Sequence, residues 1–436
     1  DASSCAPLYA GHRAVGDGES GLGLSLCSSG GGIGGFIFDA SVLATGGRRH
    51  RGARVSAGMG IRGIGHAGGP LGRVSRGLCR VGWLSILVRW YYRRHTRCDE
   101  RGDGDSVSSA YPHTLVTGMT SSAILCAACV DLLIGDPRWL PHPVRAMGGL
   151  IAWSDHAVRG ICRSPLALRL AGLILALGLP TVVYVAVRWM MVEAGALAEW
   201  LGIVVMIGLA SSTLAGRDLW DHVQAVKKPL QRGDIVRARQ AVAMIVGRDT
   251  EQLSESEVVR ATIETVAEST ADGVIAPLFY LVLGGPPLAL AYKAVNTLDS
   301  MVGHRDERYV DFGWASARLD DVANWIPARL TALLLIAAAG LRTGSGDRIR
   351  NGWCVVWRDG GKHPSPNSGR PEAAMAGVLG VRLGGTNYYD GVANDRPILG
   401  DGRRELVVED ITLAAQLMAV ASLLGVMIGA GILWLE

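Results

Sequence analysis

Four separated stretches of the chain concentrate the side chains that could do chemistry. The first reads Gly-Asp-Pro-Arg-Trp-Leu-Pro-His-Pro-Val-Arg over residues 135–145. Its prolines fix the backbone and hold Asp136, His142 and Arg145 within a few residues of one another. An acid, an imidazole and a guanidinium on one rigid turn suit a phosphorylated ligand. The plainer alternative is an interfacial anchor, with Trp139 among the headgroups and the charges solvated.

The second stretch, 247–273, predicts a helix entered near Asp249 or Thr250. Along it Arg260, Glu264, Glu268 and Asp272 recur at every fourth position, so one face carries one base and three acids. Acids at that spacing repel unless a cation or a basic ligand lies between them. A solvated face is the ordinary outcome. This stripe runs straight into an apolar segment, however, where ionisable groups are costly and retained for use.

In the third stretch Lys293 precedes Asn296 and Asp299, an i,i+3 pair, and Asp320 and Asn324 are i,i+4 with Asp321 adjacent. These oxygen-rich patterns suit Mg²⁺ and, through it, phosphates. Two such clusters in a membrane protein also fit an intramembrane prenyltransferase acting on a diphosphate. The fourth stretch, Lys362 to Gly369, places two prolines one residue apart. His363, Ser365 and Asn367 therefore project from a fixed turn. The small residues of Ala373 to Gly380 predict a helix that approaches another backbone closely. No G-x-x-x-x-G-K-[ST] phosphate loop occurs, and the glycine-rich N-terminal part lacks the strand–loop–helix context of a dinucleotide fingerprint.

The elements that must position these residues are membrane helices. Of 436 residues, 49% are hydrophobic and 19% charged, with mean hydropathy +0.25. A soluble domain carries about a quarter charged residues, so a membrane protein is the leading class and intrinsic disorder of the whole is excluded. Leu166 to Met191, Ala196 to Leu214 and Ile411 to Leu435 are long and apolar enough to span, and Met119 to Gly135 is a shorter candidate. A buried helix in a large soluble core is the alternative. Gly273 to Ala291 is split by Gly284-Gly285-Pro286-Pro287 into halves too short to cross alone, and Trp325 to Leu341 is a second ambiguous stretch. If both cross, 292–324 lies opposite 216–272 and 342–409. If neither does, all three blocks share one side. The Arg and Lys residues of 216–272 favour the cytoplasm for that block. The expected fold class is all-α, polytopic, with about 4–6 membrane segments.

Residues 1–118 differ from the rest: Gly and Arg dominate, Lys is absent, and no helical or strand period persists. They are expected to form a disordered extension or to reflect a misplaced start, with the functional domain at 119–436. They also hold 14 Arg against 8 acids, so the basic excess belongs to this arm and a nucleic-acid partner loses its support. Four of the eight Cys lie there, and Cys126, Cys129, Cys162 and Cys354 are scattered beyond. No zinc spacing or disulfide framework results.

Taken together, GDPRWLPHPVRAMG, VGRDTEQLSESEVVRATIETVAESTADGVIAPLFY, YKAVNTLDSMVGHRDERYVDFGWASARLDDVANWIPARLTALLL and HPSPNSGRPEAAMAGVLGVRLGGTNYYDG resemble adenosylcobinamide-phosphate synthase, the CbiB/CobD family of cobalamin biosynthesis. The resemblance spans roughly Met119 to Glu436. It departs at Ser269, where the family usually has Asn within Ala-Glu-Asn-Thr-Ser-Asp-Gly, and at Gly303-His304-Arg305-Asp306-Glu307, which replaces a more usual Gly-Tyr-Lys-Asn-Glu. Both acids of the first motif, Glu268 and Asp272, are retained.

The resemblance implies a multi-pass inner-membrane ligase that joins adenosylcobyric acid to (R)-1-amino-2-propanol O-phosphate or a related amino alcohol phosphate, using ATP and Mg²⁺. Its implied partners are these substrates, the lipid bilayer and other membrane enzymes of cobalamin assembly. Glu264, Glu268, Asp272, Lys293 and His363 are then candidate catalytic residues. Asp136, His142, Arg145, Arg248, Asp249, Ser365 and Asn367 are candidates for substrate and phosphate, and Asn296, Asp299, Asp320, Asp321 and Asn324 for metal. A non-catalytic corrinoid carrier is a third reading, which would bind the corrinoid and turn nothing over.

Overall fold

The computed structural model describes residues 119–435, apart from 138, 140 and 141. The expected low-complexity extension and its cysteines lie outside the described residues. Thirteen helices and one two-stranded hairpin make up the described chain, so it is an all-α polytopic membrane protein with one small β element. Five helices are long and apolar enough to cross a membrane.

Helix α1 (Ser121–Ile134) is capped by the Thr120 hydroxyl, and α2 (Pro143–Ile161) by His142, whose Nδ1 accepts from the Val144 amide. Helix α3 (Pro165–Leu197) and helix α4 (Glu199–Ser211) form an antiparallel pair that turns at Ala198. The sequence places one segment across that turn, from Ala196. The sharp reversal is possible because Gly195 and Gly202 meet there: a Cβ on Gly202 would stand 3.0 Å from the Gly195 Cα. Amphipathic helices α5 (Gly216–Leu230) and α6 (Ile235–Ala243) follow.

Helix α7 (Glu255–Thr270) starts at Ser254, later than the expected Asp249 or Thr250. The Ser254 hydroxyl and the Glu257 carboxylate cap each other's backbone reciprocally, and that capping box sets the start. A π-turn (Ala271–Ile275) leads into α8 (Ala276–Val302). Gly284 and Gly285 leave helical geometry, Gly285 at φ +65°, and Pro286-Pro287 restart the helix. The chain doubles back here. Tyr280 and Tyr292 stack with ring centroids 4.9 Å apart, whereas an unbroken helix would separate them by about 18 Å.

Helix α9 (Trp314–Ala323) runs back toward the same depth, its last carbonyl accepting from the Tyr280 hydroxyl at 2.9 Å. Helices α10 (Trp325–Thr343), α11 (Gly346–Asp359) and α12 (Gly369–Leu379) then pack as successive antiparallel pairs. The close approach expected of Ala373 to Gly380 is realised: a Cβ on Gly377 would lie 2.8 Å from both the Asn351 carbonyl and the Gly352 Cα. Strands β1 (Leu383–Tyr389) and β2 (Val392–Leu399) form an antiparallel hairpin, and α13 (Val408–Leu435) closes the bundle. The hairpin turns on Asp390 and Gly391, both at positive φ, as a two-residue turn of the twist-matched kind demands.

The bundle has two distinct ends. At one, Met119 meets the Gly285 turn, and Gly429 of α13 packs on Val282 and Ile124. At the other, the Ala215 amide donates to Gly273 at 2.9 Å and the Gly216 amide to Asp131 at 3.1 Å. Side chains of blocks 216–272, 292–324 and 342–409 meet one another, through Glu268–Ser368, Asn367–Asp321 and Tyr292–Asn324.

Candidate active site

The acidic stripe on α7 is buried, not solvated. Arg260, Glu264 and Glu268 are each less than 10% exposed, and side chains from the other blocks meet them. Arg248 pairs with Glu264 at 3.0 Å, and the Gly384 amide donates to the other Glu264 oxygen at 2.8 Å. Arg260 donates to the Gly384 and Thr386 carbonyls and to Asn387. Arg248 also donates to Asn387. The upper half of the stripe therefore anchors the β-hairpin. Asp249 belongs to the same device: its carboxylate accepts from the Asp390 and Gly391 amides at 3.2 and 2.8 Å, and its own amide donates to Tyr388. Both were expected to face phosphate. Arg248 is instead spent on Glu264 and Asn387, and Asp249 on the hairpin turn.

The lower half faces the proline-rich turn. Ser368 donates to Glu268 at 2.8 Å, and the Asn367 amide donates to the Asp321 carbonyl at 2.8 Å, tying the turn to α7 and α9 at once. Ser365 holds the turn internally, its hydroxyl accepting from the Asn367 and Ser368 amides. His363 rests its Nδ1 on the Ser365 backbone, and its Nε2 lies 3.1 Å from Arg396 Nη1. Guanidinium can only donate, so Nε2 supplies the lone pair to Arg396, while the Ser365 amide and carbonyl both approach Nδ1. Burial, with Arg396 adding to it, pushes the His363 pKa down to about 4, so the ring is neutral. With its Nε2 lone pair engaged, His363 holds Arg396 here and is not poised as a base.

Arg396, which the sequence reading passed over, is central. It donates to Tyr389 at 3.0 Å and to His363, and it lies within electrostatic reach of Glu264, Glu268 and Glu372. Glu372, on α12, is 4% exposed, and burial foremost, then Glu264 and Glu268, pushes its carboxyl well above the usual range. The available signal was Asp390-Gly391 between two short β-prone runs, which marks a hairpin and would have placed Arg396 opposite Gly385.

Below this lies an acid-rich cluster of side chains. The Asn324 amide nitrogen donates to both Asp320 oxygens at 3.0 Å while its oxygen accepts from Tyr292 at 2.9 Å. Asn296 Nδ2 stands 3.5 Å from Asp320. Lys293, 3% exposed, interacts electrostatically with Asp272, Asp136 and Asp320, which brings the first block to the same place. Asp136 also pairs with His142 at 3.2 Å. Asp299 faces Asp320 and Asp321, and Asp321 pairs loosely with Arg318 at 3.7 Å. Arg145 sits half-exposed on the first turn of α2. Desolvation pushes Asp320 up to about 6, against the hydrogen bonds from Asn324 and Asn296.

The five expected metal ligands do not form a cage. Among the described residues no three His, Cys, Asp or Glu side chains stand close enough to enclose an ion, and both ends of Asn324 are consumed in orienting Asp320. A smaller donor set does fit Mg²⁺, which takes one or two carboxylates and keeps its other positions for water and substrate phosphate. Asp320 is held by amides on a fixed helix, and the Asn296 side-chain oxygen is buried beside it without a hydrogen-bond partner.

Comparison with known proteins decides the family. The family model described as CobD/Cbib protein matches residues 124–418. The chain belongs to the CobD/Cbib family. It is 48% identical over 320 residues to the cobalamin biosynthesis protein CobD of Klebsiella pneumoniae, covering 72% of this chain and 98% of that one. It is 47% identical over 311 residues to CbiB of Salmonella arizonae, covering 70% and 95%, and 51% identical over 286 residues to CobD of Geobacter metallireducens, covering 65% and 88%. No solved structure matches significantly. The CobD/Cbib match covers all four polar blocks and the hairpin, so the Arg396 network lies within the family's own span.

Proposed function

We propose that this protein acts in cobalamin biosynthesis as an ATP-dependent ligase of the inner membrane, joining an amino alcohol phosphate to the free carboxylate of adenosylcobyric acid. The convergence of Lys293, Asp320, Asn296, Glu268 and Arg396 at one end of a membrane bundle carries the reading. Amide formation from two anions needs cationic groups, a phosphate-binding metal and a base in one place; Lys293 and Arg396 are cations here, Asp320 with Asn296 would hold the metal, and Glu268 is the candidate base. The basic residues of 216–272 favour the cytoplasm for that end, where ATP is available.

A carboxylate does not react with an amine until one oxygen becomes a leaving group. In the proposed sequence the corrin carboxylate attacks the γ-phosphorus of ATP, ADP departs, the amine adds to the acyl phosphate, and inorganic phosphate leaves. When bound at Asp320 and Asn296, Mg²⁺ would neutralise the transferring phosphate. Lys293, buried and unable to move far, would hold phosphate oxygens, and Arg396 would orient the carboxylate group. Glu268 accepts a hydrogen bond from Ser368 at one oxygen and is the candidate to take the ammonium proton. Glu264 is committed to Arg248 and the hairpin, which assigns it to positioning.

Membranes containing the protein, given adenosylcobyric acid, amino alcohol phosphate and ATP, are expected to yield the amide by mass. ATP-independent consumption of an isoprenoid diphosphate would support a prenyltransferase, and corrinoid binding without turnover would support a carrier.

A further inference from the structure

Helix α2 carries two apolar faces, and among the described residues only one is covered. Val144, Met147 and Ile151 are buried beneath it. The rotation of the helix is fixed by Asp155, 5% exposed, which accepts from Arg159 and Arg308 at 2.7 Å each. That clamp turns the opposite stripe outward: Ala146, Leu150, Trp153, Ala157 and Ile161, at successive spacings of four, three, four and four. Leu150 is 44%, Trp153 67% and Ile161 83% exposed, and Trp139, just before the helix, is 82% exposed.

The tethers of the helix say what meets this face. It begins nine residues after α1 ends and finishes four residues before α3 begins. The end of α1 meets Gly216 at the polar end of the bundle, and Gly172 near the start of α3 meets Phe312 in the loop after α8. A helix of 19 residues is thus tied at both ends to the polar end of the bundle. Between the exposed stripe and the buried face run Arg145 and His156, with Arg163 just beyond the end, and the only acid on α2 is the buried Asp155. An apolar stripe with tryptophan, flanked by basic residues, is the composition of a helix seated at an anionic interface.

We propose that α2 is an interfacial helix that docks on anionic phospholipid of the polar-end leaflet, with Leu150, Trp153 and Ile161 set at the acyl boundary and Arg145 and Arg163 against headgroup phosphates. The claim is independent of the reaction catalysed.

The test uses the full chain in nanodiscs of equal phosphatidylglycerol and phosphatidylcholine. Trp153→p-benzoylphenylalanine and, separately, Ile161→p-benzoylphenylalanine are irradiated and their adducts identified by mass, with Met147→p-benzoylphenylalanine as the buried control. Phospholipid adducts at 153 and 161, with phosphatidylglycerol in excess and none at 147, are expected. Adducts to a second copy of the chain, or no lipid adduct at either outward position, would overturn the docking. Equal yields of the two lipids would overturn its preference for anionic headgroups.

Discussion

At the scale of single residues, the acids of the α7 stripe divide by what they touch. Glu264 balances a buried Arg248 and holds the hairpin amide, so Glu264→Gln leaves a buried guanidinium uncompensated. We expect a loss of stability of about 3–5 kcal/mol, seen as a lower melting temperature of the detergent-solubilised protein. Glu268→Gln keeps the Ser368 hydrogen bond. It should leave stability nearly unchanged while amide formation falls by about 10²-fold or more, the usual contribution of a positioned base. Equal effects on melting and turnover would dissolve the distinction. His363 provides a pH signature. Its folded pKa of about 4 lies below the roughly 6.5 of an unfolded histidine. Between those values the unfolded chain binds the extra proton, so His363 stabilises the fold fully above pH ~6.5 and ceases to do so as pH falls toward 4. The difference in melting temperature between the wild type and His363→Asn should therefore shrink across that window. A difference that stays constant would contradict the neutral, Arg396-bonded ring.

At the scale of elements, the site depends on turns that glycine permits. Gly172 of α3 lies against the loop after α8, where an added Cβ would come within 1.9 Å of the Phe312 carbonyl oxygen. Gly172→Ala must separate α3 from that loop, at a cost of about 1–3 kcal/mol, and should loosen the loop and speed tryptic cleavage at the already exposed Arg305 and Arg308; unchanged cleavage would show that the contact is not needed. The helices themselves were legible in the residues, because long apolar runs and a break at Gly284-Gly285-Pro286-Pro287 are local signals. The stripe Arg260, Glu264, Glu268, Asp272 and the turn His363 to Asn367 were legible for the same reason. What was not legible was the division of labour among them. Whether Glu264 faces a substrate or Arg248 depends on a contact 16 residues away, and the role of His363 depends on Arg396, 33 residues on, in a hairpin whose only local mark is Asp390-Gly391. The start of α7 shifted to Ser254 because reciprocal capping by Glu257 outcompetes a lone Asp249 that the hairpin holds instead.

At the scale of the whole molecule, the doubled-back chain at Gly285 makes a specific topology. The Arg232, Glu307 and Lys362 regions should all label from the cytoplasmic side of sealed vesicles, and the Ala198 turn from the other. Labelling of 305–309 from the outside would break the site apart, since Lys293 and Asp320 could not then share an end with Glu268. The central claim is that this shared end drives amide formation by activating a carboxylate with ATP. It is tested most directly with adenosylcobyric acid carrying ¹⁸O in its free carboxylate, supplied to membranes holding the protein with ATP and amino alcohol phosphate. The account predicts one ¹⁸O in the inorganic phosphate released and ADP formed in step with the amide. Amide formed with unlabelled phosphate, or with the label in AMP, would contradict it.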